Sequence, residues 1–198
     1  IDILVGTQMV SKGLDFDRVS LVSVFDIDRM IHFPDFRSME RTYQLTTQVS
    51  GRAGRKDIAG KVIIQTGDPE QGILKLISEQ NYSTFFDLEM QEREKFNYPP
   101  FSRMIKILVR SKDKKLSKDA AEFLGNILKE DLGTYRVLGP HEPIINKIRD
   151  KYLMEIYLKI ERKYNINSVK EKIKAAYLEA LRKKSFSQVE FITDVDPY

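Results

Sequence analysis

The 198-residue chain reads as an α/β protein in two parts: part of a parallel-sheet lobe over residues 1–98, then a small α+β domain of β-α-β-β-α-β type over residues 99–198. Three observations lead there. In the first half, short continuous apolar runs alternate with helix-length segments, the pattern of a parallel sheet covered on both faces. At Tyr98-Pro99-Pro100-Phe101, consecutive prolines remove donors and restrict the preceding residue, which interrupts any helix and sets the domain boundary; a tight turn inside one domain is the alternative. The charge balance changes at the same point, from 12 Lys/Arg against 15 Asp/Glu before it to 21 against 14 after it. A net of −3 followed by +7 points to different partners for the two parts, the second facing a polyanion or simply carrying a lysine-rich surface.

The elements of the first half follow in order. Asp2–Gly6 carries Ile3-Leu4-Val5 and reads as a buried strand, followed by a polar turn with Gly13. Val19–Phe25 is a second apolar run of strand length. Ser38–Arg52 is long enough for a helix and breaks at Gly51 and Gly54. Gly60–Thr66 is another short buried strand, and helices are expected over Glu70–Glu79 and Ser83–Phe96.

In the second half Met104–Val109 reads as a strand. Leu116, Ala120, Phe123, Leu124, Ile127 and Leu128 recur at helical spacing, with Gly133 as the stop. Two extended segments follow, around Glu142–Ile148 and Tyr152–Ile160, the second placing Met154, Ile156 and Leu158 on one side. Ser168-x-x-Glu171 reads as a capping box opening a helix whose Val169, Ile173, Tyr177 and Leu181 share a face. Val189–Thr193 is the last strand.

Hydrophobic residues make up 41% and charged residues 31%, a globular balance. No apolar run approaches the roughly 20 residues needed to cross a bilayer and no signal peptide opens the chain, so a cytoplasmic protein without membrane contact is expected. With no cysteine, no disulfide or thiolate metal site can form within these residues. His32 and His141 are isolated, so no metal ligands are assigned. The chain opens inside an apolar run without methionine, which leads to the expectation of a fragment cut from a longer protein.

The most specific chemical signal is Gln48-Val49-Ser50-Gly51-Arg52-Ala53-Gly54-Arg55. It sets two guanidiniums about one helical turn apart, beside glycines that permit close backbone approach. Arginine forks match phosphate oxygens bidentately and keep their charge, so Arg52 and Arg55 could grip the terminal phosphates of a nucleotide. The alternative is a basic helix end facing its own dipole. A second signal runs from Val5 to Phe16, where a strand leads through Gly6-Thr7 to Gly13-Leu14-Asp15. Loops at the carboxyl ends of parallel strands bind ligands in open α/β sheets. Thr7 offers a hydroxyl to a backbone phosphate, and Asp15 a carboxylate to a ribose hydroxyl. A solvated strand–turn–helix connection is the alternative.

Together the two stretches resemble signature motifs of superfamily 2 helicases, Val5–Phe16 motif V and Gln48–Arg55 motif VI. Within that superfamily the chain is similar to the PriA family of replication-restart DNA helicases (primosomal protein N′). Gly6-Thr7-Gln8-Met9-x-x-Lys12-Gly13 is close to that family's motif V, and Asp35-Phe36-Arg37-Ser38-x-Glu40-Arg41-x-x-Gln44-Leu45 matches its intervening stretch. Leu138-Gly139-Pro140 and Asp194-Val195-Asp196-Pro197 look like its C-terminal domain. The resemblance runs essentially end to end and is most specific in the helicase motifs.

The resemblance implies that residues 1–98 are the C-terminal part of a RecA-like helicase lobe 2, one of two lobes that clamp ATP and Mg²⁺. By position, Arg55 would be the arginine finger and Arg52 its companion; such an arginine is worth on the order of 10³–10⁵ in rate. Gly13, Asp15, Gln48, Gly51 and Gly54 would approach the nucleotide, while Thr7, Gln8 and Lys12 would touch the tracking DNA strand. The implied activity is an ATP-dependent 3′–5′ DNA helicase that binds single-stranded and forked DNA and restarts stalled replication. Single-strand binding protein and primosome proteins are the implied partners. No G-x-x-x-x-G-K-[ST] phosphate loop occurs in these residues, nor does the acidic Mg²⁺-holding motif of the first lobe. The chain alone is therefore expected to show no ATPase. The family's cysteine-ligated zinc is expected in the full-length protein but not in this fragment.

His32, Phe33, Phe36 and Arg37 form an aromatic–basic cluster between the motifs. Phe36 and Arg37 are candidates for single-stranded DNA contacts, against the alternative that Phe33 and Phe36 anchor a loop in the core. Lys147, Arg149, Lys151, Arg162 and Lys163 flank an expected hairpin. Of these, Arg149 and Lys151 are candidates for binding DNA or the acidic tail of single-strand binding protein, against a merely solvated face. Lys170, Lys172 and Lys174 read as surface solubility. The competing function class is a stand-alone nucleic-acid-binding module with a degenerate helicase lobe, separable by whether a phosphate loop lies upstream.

Overall fold

The computed structural model describes residues 3–6, 19–54 and 59–197. The chain divides into two compact units, residues 1–92 and 93–198, a division that falls inside a helix just ahead of the paired prolines.

The first unit contains β1 (Leu21–Val24), α1 (Ile27–Ile31), α2 (Ser38–Ser50), β2 (Lys61–Ile64), α3 (Gly72–Ser78) and most of α4 (Tyr82–Lys95). The two strands pair in parallel, Leu21 opposite Lys61 through Val24 opposite Ile64. Parallel strands need a long crossover, and α1 and α2 supply it. Ile27, Ile31, Tyr43, Ile73, Leu74, Ile77 and Phe85 form the core, where Tyr43 stacks on Phe85 with ring centroids 4.4 Å apart. Asp28 ties the far ends of the strands together, accepting from the Thr66 hydroxyl and the Gly67 N–H at 2.7 Å each. Those two bonds hold its carboxyl below the usual carboxylate range. The buried strand expected over Asp2–Gly6 is not found in its described part. Residues 3–6 carry no strand, and Ile3 and Val5 are 82% and 86% exposed. No described strand runs beside them to take their backbone hydrogen bonds.

The second unit contains β3 (Ser102–Ser111), α5 (Lys114–Leu132), β4 (Val137–His141), β5 (Lys147–Ile148), β6 (Lys151–Glu161), α6 (Ile166–Arg182) and β7 (Glu190–Val195). Its sheet runs β4-β6-β3-β7, with β5 added on β6, and every pairing is antiparallel. Ile105, Ile107 and Val109 of β3 and Ile156, Leu158 and Ile160 of β6 alternate onto one face, as the two-residue strand period requires. Ala120, Leu124 and Leu128 of α5 and Val169, Ile173 and Ala176 of α6 complete that core. The opposite face carries a lattice of charges: Lys106 pairs with Glu155 at 3.7 Å, and Arg110 with Glu190 at 2.5 Å.

Local chemistry sets the helix ends. The Asp113 carboxylate caps α5 by accepting the Leu116 N–H at 3.0 Å, and Gly133 stops the helix at φ 92°, where only glycine is unstrained. Asn165 rather than Ser168 caps α6, accepting the Asn167 N–H at 2.9 Å, so Ser168 lies within the first turn. Leu181 is 52% exposed instead of sharing the inner face. At the helical repeat, the stripe through Val169, Ile173, Ala176 and Ala180 points inward, which rotates position 181 to solvent.

The extended segment expected over Glu142–Ile148 is shorter and displaced: the main strand ends at His141, and only Lys147 and Ile148 pair again. Pro143 has no N–H to give a ladder. In β4, the register shifts between Leu138 and His141, and Gly139 sits at φ 97° with no room for a Cβ beside the Glu155 carbonyl. Gly125 of α5 lets the helix pass Pro140; a Cβ there would lie 3.2 Å from the proline ring.

Candidate nucleotide and nucleic-acid sites

Helix α2 turns Thr42, Tyr43 and Thr46 inward and leaves Gln48 exposed near its end. The chain then makes a tight turn, with the N–H groups of Gly51, Arg52 and Ala53 donating to the carbonyls of Thr47, Val49 and Ser50 at 3.0, 3.0 and 3.1 Å. Gly54 follows in the left-handed region at φ 74° and donates its N–H to the Val19 carbonyl at 3.0 Å. Gly60 completes the arrangement, since any Cβ there would collide with the backbone of Ala53 and Gly54. Gly54 of the motif and Gly60 beyond it thus let three backbone segments meet at the amino ends of β1 and β2.

The Gly54–Val19 bond matters because Val19 follows closely on Val5–Phe16 in the chain. It sets the backbone at Val19, just ahead of β1, against the turn of the second motif. The carbonyl end of α2 carries partial negative charge, so a phosphate at this turn would be held by guanidinium groups and not by the helix dipole. Arg52 is half-buried in the turn. Arg55, Thr7, Gln8, Lys12, Gly13 and Asp15 lie outside the described residues.

Phe36 and Arg37 sit just before α2. The Arg37 guanidinium lies 4.6 Å from the Phe36 ring centroid, and the Arg37 backbone N–H donates to the Asp35 carboxylate at 2.9 Å. Asp35 also holds Arg41 at 2.8 Å. Phe36 is half-buried and Phe33 is 50% exposed, and neither belongs to the buried core cluster. His32 is exposed, with Nδ1 2.9 Å from the Asp28 carbonyl oxygen.

In the second unit, Arg149 and Asp150 both have positive φ, 47° and 64°, the conformation of a two-residue type I′ hairpin turn. Arg149 projects at its tip, exposed. Lys151 is committed within the sheet, sharing the Glu190 carboxylate with Arg110. Lys151 first, and Arg110 next, hold that carboxyl below its usual range. Arg162 is occupied as well, donating to the Pro100 carbonyl at 2.5 Å.

Sequence reasoning missed a groove of about 530 Å³ beside α6, where Ile105, Ile173 and Tyr177 meet three cations, Arg103, Lys170 and Lys174, and one acid, Asp196. Burial pushes the Tyr177 phenol above its ordinary value, and its hydroxyl is 2.6 Å from that of Thr193. The signal in the sequence was present: Lys170 and Lys174 stand one turn apart and bracket Ile173. Among the described residues no group of three His, Cys, Asp or Glu could hold a metal ion, and no helix is long and apolar enough to cross a membrane.

The second unit is a one-sided antiparallel sheet with two helices on its inner face, attached to a parallel α/β unit bearing a Gly-Arg turn. The chain belongs to the PriA family of replication restart proteins, because a model of the primosomal protein N C-terminal domain matches residues 94–198. It is 38% identical over 198 residues to the replication restart protein PriA of Bacillus subtilis, covering all of this chain and 24% of that protein. Against the PriA of Chlamydia pneumoniae it is 36% identical over 197 residues, 99% of this chain and 26% of that one. The Thermotoga maritima PriA is 38% identical over 161 residues, 81% and 21% of the respective chains. The chain thus spans about a quarter of the length of these relatives.

Proposed function

We propose that this chain supplies part of the second ATP-clamping lobe, and a DNA- and partner-binding domain, to a cytoplasmic ATP-dependent 3′–5′ DNA helicase that restarts stalled replication. The observation that carries this reading is the end-to-end similarity to PriA proteins, which includes the whole of Gln48–Arg55. Two structural features support it. The Gly54–Val19 bond anchors the turn of the Gly-Arg motif to the backbone just ahead of β1. In addition, β1 and β2 leave Leu21 and Ile63 50% and 44% exposed. Parallel sheets bury both faces, so this pair fits a larger sheet covered on both sides, as in a RecA-like lobe.

In this reading Arg55 is the arginine finger and Arg52 its companion. Gln48, Gly51 and Gly54 line the nucleotide with Gly13 and Asp15. The described turn supports this reading in that Gly51 and Gly54 are exposed and Arg52 lies between them, half-buried. Bound Mg²⁺ would neutralise charge on the phosphates, held by residues of the first lobe. Zinc does not fit this chain, which has no cysteine, and no step is assigned to it. Thr7, Gln8, Lys12, Phe36 and Arg37 contact the DNA strand. The groove beside α6 takes the acidic tail of single-strand binding protein, with apolar side chains on Ile173 and Tyr177 and carboxylates on Arg103, Lys170 and Lys174.

The test is ATPase activity, with and without forked DNA, in the full-length parent and its Arg55→Ala variant. The expected result is a DNA-stimulated rate that falls by on the order of 10³ or more in the variant, and no turnover by the 198-residue chain alone. An inert parent, or a variant as active as the parent, would remove the arginine-finger assignment.

A further inference from the structure

We propose that the connection from β4 to β6 is an apolar wedge for duplex DNA, in which Ile144 and Ile145 enter between base steps beside a junction and Arg149 grips a phosphate. This rests on the DNA-binding reading above and names the surface and the mode of contact. Ile144, Ile145 and Ile148 are 71%, 65% and 50% exposed within one short segment. Clustered exposed apolar side chains of this size mark a contact surface.

The segment has a fixed shape. Lys114 pairs with Glu142 at 2.9 Å, the Asn146 amide donates to Glu142 at 3.1 Å, and the Asn146 carbonyl accepts the Leu153 N–H at 2.9 Å. The type I′ turn at Arg149-Asp150 closes it against β6. Isoleucine is stiff at χ1, so the tip presents a rigid apolar edge that loses little entropy on contact.

Charge decides what the tip meets. The two acids of the segment are already countered, Glu142 by Lys114 and Asp150 by Lys147 at 3.9 Å. Among the described residues nothing engages Arg149, and Lys112 and Lys115 stand exposed beside Lys114. The surrounding residues 99–198 carry a net +7. An apolar protein surface would leave these cations without counter-charges. Duplex DNA offers an apolar base stack between two rows of phosphate, and inserted isoleucines are a known means of unstacking a base step.

The experiment uses the whole 198-residue chain and a forked duplex with 2-aminopurine at the step next to the junction. Anisotropy reports binding, and 2-aminopurine fluorescence reports unstacking. Wild type is expected to bind and to raise the fluorescence. Ile144→Ser/Ile145→Ser, and the β-branched Ile144→Thr/Ile145→Thr, should bind within about threefold but lose most of the rise, with unchanged melting curves. Arg149→Ala should weaken binding and lower the salt slope of log K by about 1. Binding without a fluorescence rise, or a rise unaltered in both double variants, overturns the wedge and leaves the DNA-binding reading intact. No binding to any DNA overturns both and reassigns the tip as a protein contact.

Discussion

Arg136 donates to both carboxylate oxygens of Glu161, at 2.6 and 3.0 Å, with its guanidinium 4.2 and 4.0 Å from the ring centroids of Tyr135 and Tyr164. The same side chain donates to the Leu132 carbonyl at 2.5 Å, so one buried cation joins the end of α5 to the end of β6. Arginine suits this place because its planar fork satisfies the carboxylate, the helix end and two ring faces together.

Arg136→Ala should destabilise the second unit by about 3 kcal/mol, because it strands a partly buried carboxylate and a helix-end carbonyl. Arg136→Lys should recover only part of this, lacking the bidentate fork. Urea unfolding is the measurement, with a lower midpoint and an unchanged slope expected.

Acid should weaken this unit through Glu161 and Glu190. The Arg136 hydrogen bonds lower the first carboxyl, and Lys151 followed by Arg110 lowers the second. Their folded pKa values lie below the unfolded value of about 4.3. The stabilisation is therefore fully present above that pH and is lost as pH falls through the folded values. A Glu161→Gln/Glu190→Gln variant should be less stable than wild type at neutral pH and show a flatter loss below about pH 4. Parallel wild-type and variant curves across that range would count against the linkage.

Gly139→Ala should cost about 1–3 kcal/mol, since position 139 has φ 97° and a Cβ would lie 2.8 Å from the Glu155 carbonyl oxygen. Gly125→Val should push α5 away from Pro140 and also lower the melting temperature. Calorimetry on each variant checks both.

Gly60→Val should open the first unit and spare the second, because the added side chain collides with the backbone of Ala53 and Gly54. The Gly54 amide, bonded to Val19, should exchange with solvent about tenfold faster or more, while amides of β3 and β6 keep their protection. Hydrogen exchange resolved by residue reads both outcomes at once.

Much of the second unit was legible because its signals are local. The alternating residues of β3 and β6, the stripe of α5 and the Gly133 stop depend on neighbours in the chain, and the structure places them within a residue or two of expectation. Where a competing local signal existed, the reading slipped. Asn165 outcompeted Ser168 as a cap, and the segment with Pro143 could not pair as a strand.

Sequence by itself determined the family-like motifs, the places of β3, α5, β6, α6 and β7, the charge contrast between the two parts and the residue types able to hold phosphate. Only the tertiary structure decided which of the basic residues described in the second unit are already paired. Lys151 was a candidate contact until the pairing of β3 with β7 set Arg110 beside Glu190, where Lys151 also binds. Lys170 and Lys174 read from the sequence as surface solubility, whereas the fold sets them with Arg103 around Ile173. The physical reason is range: periodicity and turn chemistry act over a few residues, whereas an ion pair or groove depends on which distant strands and helices become neighbours.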